Sequence, residues 1–410
     1  MKMNKKRILG VSFNFAYNIL ASFLIIGATT FVLNPKLATY YTTAEYGTIL
    51  SICSVISVFS NGFGNTLNNV RLIQNNVDNE EELSLNYLPL ITITGLFSSV
   101  ATLGLSIFYF KQDLLISLLL FFYCALVTFK AFYIVAFRVK LDFKKNLFMS
   151  LLVALIYVLG GIFIQYIYFW PIIYIFAEIV SIFFVKFFCK TQRYYFSFSS
   201  NIKNILKKYF VLILCSIATN IILYLDRIII HPFLGADSVA IYNVASLFGK
   251  CLGMVMSPVA NVLLGYYAQK GSSNFTLKKF WTINICVVSA TFIFIFFIPI
   301  ISPFFTELLY PKIYESAYPY LFVCNLTAAV SVMPVLTMPA IIKFCGTRYE
   351  LCITAIYGSL YIILSSILMR SDGLIGFCVA SLIANVVKLL LMYIIGSSVL
   401  HRRIRVEKNV

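Results

Sequence analysis

Long apolar runs recur along the whole chain, and they limit what it can fold into. The run from Leu114 to Leu126 is apolar on every face that a helix or a strand could present. Hydrophobic residues make up 61% of the chain and charged residues 11%, against about 45–50% and about 25% in ordinary globular proteins. A soluble fold could not keep so much apolar surface away from water, so the solvent of this chain must be lipid.

The apolar windows predict an all-α integral membrane protein with twelve transmembrane helices. A span needs about 20 mostly apolar residues, because the hydrocarbon core is about 30 Å thick and a helix rises about 1.5 Å per residue. Trp170 and Trp281 lie at window ends, where interfacial aromatic residues are expected. The windows lie near residues 8–33, 44–66, 87–110, 113–137, 147–168, 170–188, 209–231, 239–266, 280–302, 317–342, 349–369 and 373–400.

Lysine and arginine residues predict the orientation of these spans. With the N-terminus placed in the cytoplasm, 24 of the 32 basic residues fall in the inside segments and only 4 in the outside loops. Cytoplasmic segments of membrane proteins are enriched in Lys and Arg. We therefore expect a multi-pass protein with both termini cytoplasmic, and we interpret the net charge of +17 as a topology signal rather than as a sign of nucleic-acid binding.

The basic connection at 191–208 predicts two lobes of six spans each. The N-terminal lobe would cover 1–190 with spans 1–6, and the C-terminal lobe 209–410 with spans 7–12 and the basic tail. An even number of spans per half makes the halves parallel repeats, related by a pseudo-two-fold axis along the membrane normal. No external loop is long enough for a domain, so function must lie inside the bundle or at its two mouths.

Six ionisable residues lie inside the apolar windows, and they mark a candidate site. Each costs about 2.5–3.5 kcal/mol near the midplane, so they must face one another or water. Because cations outnumber anions by four to two, we predict a water-filled cavity between the lobes that favours an anionic substrate. For two of the lysines, snorkelling to the cytoplasmic face is the alternative. The six are Lys130, Glu178, Asp226, Arg227, Lys250 and Lys388.

Polar side chains recur at helical spacing in several spans and would line the same cavity, although such stripes also serve as contacts between helices. Glu178 and Asp226 are candidate ion-coupling residues, with structural pairing to a cation as the alternative. We expect no catalytic residue, metal site or cofactor, and a proton or sodium gradient is the candidate energy source. The candidate substrate-binding residues are Arg71, Lys130, Arg227, Lys250, Lys388, Asn14, Asn18, Asn61, Asn65 and Asn243.

Four segments resemble the Wzx-type polysaccharide flippases of the multidrug/oligosaccharidyl-lipid/polysaccharide (MOP) superfamily. The longest, from Tyr224 to Gly253, is similar to the region between the seventh and eighth spans of that family. Length, twelve spans and parallel halves agree over the whole chain. The motif residues are Asp226, Leu234, Gly235, Tyr242 and Ala245, then Glu45-Tyr46-Gly47, Asn69-Val70-Arg71, and Tyr310-Pro311 with Tyr314, Ala317 and Pro319.

The resemblance implies a MATE/MOP-like fold and a flippase, not an enzyme, in the bacterial cell inner membrane. The substrate would be an undecaprenyl-pyrophosphate-linked oligosaccharide repeat unit for O-antigen or capsule, and the lumen would be cationic. A polysaccharide polymerase and a chain-length regulator are the further partners that this assignment suggests. The alternatives are a MATE-like small-molecule or drug antiporter, which would favour embedded acids, and a membrane polysaccharide polymerase, which would need a large external loop.

Overall fold

A computed structural model describes residues 5–74, 86–140, 142–188, 195–198, 202–268 and 275–408. Within those ranges the chain forms helices and no strand. A helix satisfies its backbone hydrogen bonds within its own segment, as a chain in hydrocarbon must. The helices are α1 (Lys5–Ala28), α2 (Asn34–Tyr40), α3 (Thr43–Phe59), α4 (Thr66–Gln74), α5 (Tyr87–Gly104), α6 (Leu114–Tyr133), α7 (Val135–Lys140), α8 (Phe143–Ile162), α9 (Pro171–Phe188), α10 (Ile202–Leu223), α11 (Leu225–Leu234), α12 (Ala236–Ala245), α13 (Leu247–Ala268), α14 (Leu277–Leu309), α15 (Pro311–Ala317), α16 (Leu321–Ala340) and α17 (Thr347–Lys408).

Ten helical stretches of the described chain are long and apolar enough to cross a bilayer. Helices α12 and α13 together form an eleventh candidate, bent by 63° between them. The stretch Arg348–His401 within α17 covers 54 residues, or about 80 Å as one straight helix, far more than one crossing needs. Gly373 breaks it, with φ 57° and ψ −130°. With that break counted, helix lies at all twelve predicted windows, and the all-α membrane fold is confirmed.

Among the residues that the structure describes, four short π-helical turns interrupt the spans. A π-turn inserts one extra residue into the helical hydrogen-bond ladder and rotates the side chains that follow it. The turn that follows α3 carries Asn61 and Asn65, and the amide of Asn65 donates to Oδ1 of Asn61 at 2.5 Å. The turns cover Thr29–Leu33, Ser60–Asn65, Leu105–Tyr109 and Ile341–Cys345.

The chain divides into two compact units. Unit 1 comprises Met1–Thr42 and Thr48–Ile228, and unit 2 comprises Thr43–Gly47 and Ile229–Val410. Helix α10 belongs to unit 1, where the Tyr209 hydroxyl donates to the carbonyl oxygen of Phe63 at 3.1 Å. The lobe boundaries drawn from the sequence, with the linker at 191–208, stay a prediction.

In unit 1, α1 packs along α8, and α6 packs along both α5 and α9. The side-chain amide of Asn68 ties α4 to α6 by donating to the carbonyl oxygen of Ala131 at 3.0 Å. Arg138 of α7 donates to Oδ1 of Asn68 at 3.0 Å and to Oδ1 of Asn69 at 2.8 Å. An apolar core surrounds these contacts and fixes the positions of α4, α6 and α9. It includes Leu67, Val70, Tyr87, Leu90, Ile91, Phe132, Phe137, Met149 and Val185.

In unit 2, α16 packs against α13, α14 and α17. Gly249 of α13 lies close against α16, since a Cβ atom built on it would lie 2.5 Å from the backbone oxygen of Asn325. The backbone N–H of Gly249 also donates to Oδ1 of Asn325 at 2.8 Å. At Gly253, one turn later, the built Cβ would lie 3.3 Å from Val332. The small-residue spacing therefore serves close packing of α13 on α16.

Candidate functional site

The ion pair between Lys130 and Glu178 lies in the interior of unit 1. Lys130 is on α6 and Glu178 is on the neighbouring α9, and Nζ lies 2.6 Å from Oε1. Their side chains are 18% and 3% exposed, respectively. Two charges at this depth are tolerated because each compensates the other. The sequence predicts that Glu178 either couples an ion or pairs with a cation. The structure shows the pairing with Lys130, and ion coupling stays a prediction.

The second carboxylate oxygen of Glu178 has a different environment. Oε2 is buried and accepts no hydrogen bond from the described residues. Tyr123 and Tyr157 lie within range of the Glu178 charge, and both rings pack on Tyr174, with centroids 5.3 and 5.5 Å apart. A buried carboxylate oxygen without a donor is costly, and it is a position where a proton or small cation could bind.

Arg227 reaches the same region of unit 1 from α11. Its Nη1 donates to Oγ of Ser54 on α3 at 3.3 Å. The neighbouring Cys53 lies within range of the Arg227 charge and within hydrogen-bonding reach of Tyr174. We call the set Lys130, Glu178, Tyr174, Cys53 and Arg227 the unit 1 cluster. Three spans that are distant in sequence thus bring two cations and one carboxylate together around tyrosine side chains.

Asp226 precedes Arg227 but makes a different contact. Its Oδ1 accepts a hydrogen bond from the backbone N–H of Arg227 at 3.0 Å. Adjacent residues of a helix point about 100° apart, so the Arg227 guanidinium and the Asp226 carboxylate diverge. A role for Asp226 in ion coupling stays a prediction.

Arg71 and two of the predicted asparagines lie elsewhere in unit 1. Arg71 of α4 is 4% exposed, and its Cζ lies 5.6 Å from the ring centroid of Tyr87. Asn61 and Asn65 bind each other, and the carbonyl oxygen of Asn61 accepts from Ser216 Oγ at 3.2 Å. These contacts join helices within the unit, and a role in substrate binding stays a prediction for all three residues.

Asn14 and Asn18 are the two asparagines of the first predicted span. Asn18 is exposed, and its Oδ1 accepts a hydrogen bond from the side-chain amide of Asn146 at 3.2 Å. The side chain of Asn14 lies outside the described residues. The structure therefore links Asn18 to α8 and leaves the predicted role of Asn14 untested.

The embedded lysines of unit 2 each lie over a tyrosine ring. Nζ of Lys250 is 4.8 Å from the ring centroid of Tyr242, and Nζ of Lys388 is 4.4 Å from that of Tyr357. A cation this close to a ring face is attracted by the ring quadrupole, more strongly where water is excluded. A ring face attracts an ammonium group without forming an ion pair, and Lys388 also lies within range of the Glu350 charge.

An unbroken series of aromatic rings joins these two positions. Tyr357 packs on Tyr361 at 5.7 Å, Tyr361 on Phe377 at 5.8 Å, and Phe377 on Tyr242 at 5.1 Å between ring centroids. We call these four rings the aromatic ladder. All four are buried, with at most 7% exposed. The ladder therefore fixes the two lysines relative to each other within unit 2.

Three of the segments that carry the family resemblance meet in unit 2. The side-chain amide of Asn243 donates to the Tyr46 hydroxyl at 3.3 Å, and the Tyr46 ring lies 6.3 Å from that of Tyr310. Gly47 of α3 directly contacts the start of α12, because a Cβ atom built on it would lie 1.8 Å from the backbone oxygen of Ala236. The motif residues thus form a packed junction, and a role for Asn243 in substrate binding stays a prediction.

Tyr123, Tyr157 and Cys53 lie near the embedded charges, but the sequence does not distinguish them. The chain has 27 tyrosines and 10 cysteines, and nothing in their spacing distinguishes these three. Their placement depends on which helices pack together, so a contact map would have been needed. Tyr174 is different, because it lies four residues before Glu178 on the same helix and therefore on the same helical face.

Comparisons with protein-family models and with curated protein sequences give no match. Several solved structures, however, share the fold. An inward-facing multidrug resistance MATE-family transporter of the MOP superfamily matches with a TM-score of 0.68 and 15% identity, over 94% of this chain and 95% of that chain. The lipid II flippase MurJ, in an inward closed conformation, matches with a TM-score of 0.62 and 16% identity, over 94% and 86%.

A mutant of the Vibrio cholerae MATE transporter VcmN matches with a TM-score of 0.64 and 10% identity, over 96% of this chain and 97% of that chain. This chain has the fold of the MOP-superfamily transporters. At these identities the likeness concerns the MOP fold alone. It agrees with the fold predicted from the apolar windows and leaves the substrate to be argued from the chain's own residues.

Proposed function

We propose that the chain is a flippase that moves an undecaprenyl-pyrophosphate-linked oligosaccharide across the bacterial inner membrane by alternating access. The observation that carries the proposal is the position of Lys250 and Lys388, each in a span and over a tyrosine ring. A similar fold in a protein described as a lipid II flippase supports a lipid-linked substrate.

The chemistry of a diphosphate matches these residues. A diphosphate carries more than one negative charge, so it binds best to several cations whose positions are fixed. Lys250 and Lys388 supply two such cations on the aromatic ladder of unit 2. We propose that these two lysines bind the diphosphate while the polyprenyl tail stays in lipid. Arg227 offers a planar fork of donors, and its role in substrate binding stays a prediction.

Ion coupling would use the carboxylates of unit 1. Oε1 of Glu178 forms the ion pair with Lys130, and Oε2 has no hydrogen-bond donor among the described residues. A proton or sodium ion could therefore bind at Oε2. Asp226 is the second candidate. We propose that an ion gradient drives the transport cycle through these carboxylates, and that a polysaccharide polymerase and a chain-length regulator act on the delivered product.

A MATE-like antiporter of small molecules is the second candidate function. The specific observation in its favour is the buried Glu178 carboxylate, because an embedded acid attracts cationic drugs. The fold of a multidrug resistance transporter is consistent with it. The two candidates predict opposite substrate charges, so a transport assay with one anionic and one cationic substrate separates them.

The test uses the purified protein in vesicles with a fluorescent polyprenyl-diphosphate oligosaccharide whose exposure is read by a membrane-impermeant quencher. Lys250→Met should lower the rate constant of flipping about 10- to 100-fold, since a charge-assisted hydrogen bond contributes about 1.5–3 kcal/mol. Lys278→Met, at an exposed position of α14, is the matched control and should leave flipping unchanged. Normal flipping by Lys250→Met, or efflux of a cationic dye in place of flipping, contradicts the proposal.

A further inference from the structure

Cys324 and Cys378 bring two thiols into direct contact inside unit 2. Their sulfur atoms lie 3.3 Å apart, and both residues are 0% exposed. Cys324 is the fourth residue of α16, and Cys378 lies five residues after the break at Gly373 in α17. The contact therefore joins two different spans that are 54 positions apart in sequence.

The packing of the two helices holds these thiols together. Helices α16 and α17 pack along each other, and one turn after Cys324 the hydroxyl of Thr327 donates to the backbone oxygen of Cys378 at 3.4 Å. Ala380, two residues after Cys378, is 0% exposed, so little side chain separates the helices here. Because each Cys has only one side-chain torsion before its sulfur, a fixed backbone leaves each sulfur only three staggered positions, and the observed pair places the two in contact.

We propose that Cys324 and Cys378 are a redox-sensitive dithiol that a small, membrane-permeant two-electron oxidant converts into a disulfide between α16 and α17. A disulfide needs the two sulfurs about 2.05 Å apart, so each would move by well under 1 Å from its present position. The bridge would fix span 10 to span 12 covalently. This inference does not depend on the proposed substrate.

The step balances with an azodicarboxamide such as diamide as the oxidant. The thiolate of one cysteine adds to one nitrogen of the N=N bond, and the other nitrogen takes up a proton. The thiolate of the second cysteine then attacks the first sulfur, the S–N bond breaks, and the disulfide forms. The oxidant leaves as the hydrazine, having gained two electrons and two protons. A dithiol reductant reverses the reaction by exchange.

The location agrees with such a role. In the orientation predicted from the basic residues, the start of α16 and the break at Gly373 both face outside. Cys324 and Cys378 then lie within two turns of the external surface, the side on which disulfides persist in bacteria. Cys124 of α6 is equally buried, but its neighbours are the hydroxyl groups of α5 and Thr128. It therefore provides a matched control.

The test treats the purified full chain with diamide, blocks the remaining thiols with N-ethylmaleimide under denaturing conditions, and maps the peptides by mass spectrometry. We expect Cys324 and Cys378 to appear in one disulfide-linked pair of peptides, and the temperature of unfolding to rise and to return after reduction. Cys324→Ser or Cys378→Ser should abolish the bridge, whereas Cys124→Ser should retain it.

A second probe tests the spacing without oxidation. Phenylarsine oxide binds two adjacent thiols through one arsenic atom. After the native protein is treated with it and then denatured, Cys324 and Cys378 should both resist N-ethylmaleimide, whereas both should be labelled in denatured protein that was not treated. Labelling of both thiols by N-ethylmaleimide after diamide treatment would overturn the proposal. A disulfide from either residue to a different cysteine would also overturn it. Because both readouts are chemical, a failed flipping assay would not affect them.

Discussion

Removal of one partner of the Lys130–Glu178 ion pair should destabilise unit 1 strongly and asymmetrically. At an N–O distance of 2.6 Å and an effective dielectric constant of about 20, the attraction is about 6 kcal/mol, much of which offsets desolvation. In Lys130→Met, a carboxylate that is 3% exposed loses its ammonium, which should cost about 3–5 kcal/mol. In Glu178→Gln the remaining ammonium, 18% exposed, can extend towards water, so the cost should be smaller.

The double variant gives the coupling energy. Lys130→Met with Glu178→Gln should lose less stability than the two single variants combined, by at least about 1.5 kcal/mol, since contacting residues couple by about 0.5–3 kcal/mol. The measurement is reversible unfolding of the detergent-solubilised protein, followed by circular dichroism over a series of denaturing-detergent concentrations.

The ion pair between Asp142 and Lys145 is the control, since it is only 0.2 Å longer, at 2.8 Å against 2.6 Å, but its side chains are 31% and 43% exposed. Its coupling energy should be about 0.2–1 kcal/mol. Equal coupling energies for the two pairs, or a larger loss in Glu178→Gln than in Lys130→Met, would refute the argument from burial.

Two further predictions concern stability. Gly249→Ala should lower the free energy of unfolding by about 1–3 kcal/mol through overpacking against α16. Gly27→Ala, where the added Cβ meets no atom within 4 Å, should leave it unchanged. Thermal unfolding compares the two variants, and similar losses of stability would contradict the packing argument. The hydrogen bond from Lys145 holds the pKa of the Asp142 carboxyl below its ordinary value. The stability that it contributes is therefore present above the unfolded-state pKa of about 3.9 and is lost as the pH falls through the folded pKa. Asp142→Asn should remove this part of the acid sensitivity, which unfolding measurements between pH 5 and 3 would show.

The fold could be predicted because uninterrupted apolar runs have few alternatives in water or in lipid. All twelve windows contain helix, but the sequence did not predict the 63° bend between α12 and α13 or the π-turn at Ser60–Asn65. A π-turn adds a single residue to the ladder without changing composition, so hydropathy cannot detect it. Nor could the sequence place α10 in unit 1, since that depends on side chains such as Tyr209 finding partners far away in the chain.

The candidate site was predictable as a set of charges but not as a set of contacts. Lys130, Glu178 and Lys250 stand out because ions in apolar windows are costly. Their partners were not predictable. The helical position of a lysine does not indicate whether it will meet a carboxylate, as Lys130 does, or an aromatic ring, as Lys250 does. Asn243, a candidate substrate-binding residue, donates to Tyr46, a contact between residues separated by 197 positions that its helical spacing does not indicate.

The break at Gly373 also bears on how the chain reaches its final place during synthesis. A Cβ atom built on Gly376 would lie 1.9 Å from the backbone oxygen of Leu368, so the polypeptide doubles back with almost no connecting loop. Because so short a connection keeps the two arms side by side, we expect the last two crossings to enter the bilayer together, as one helical hairpin.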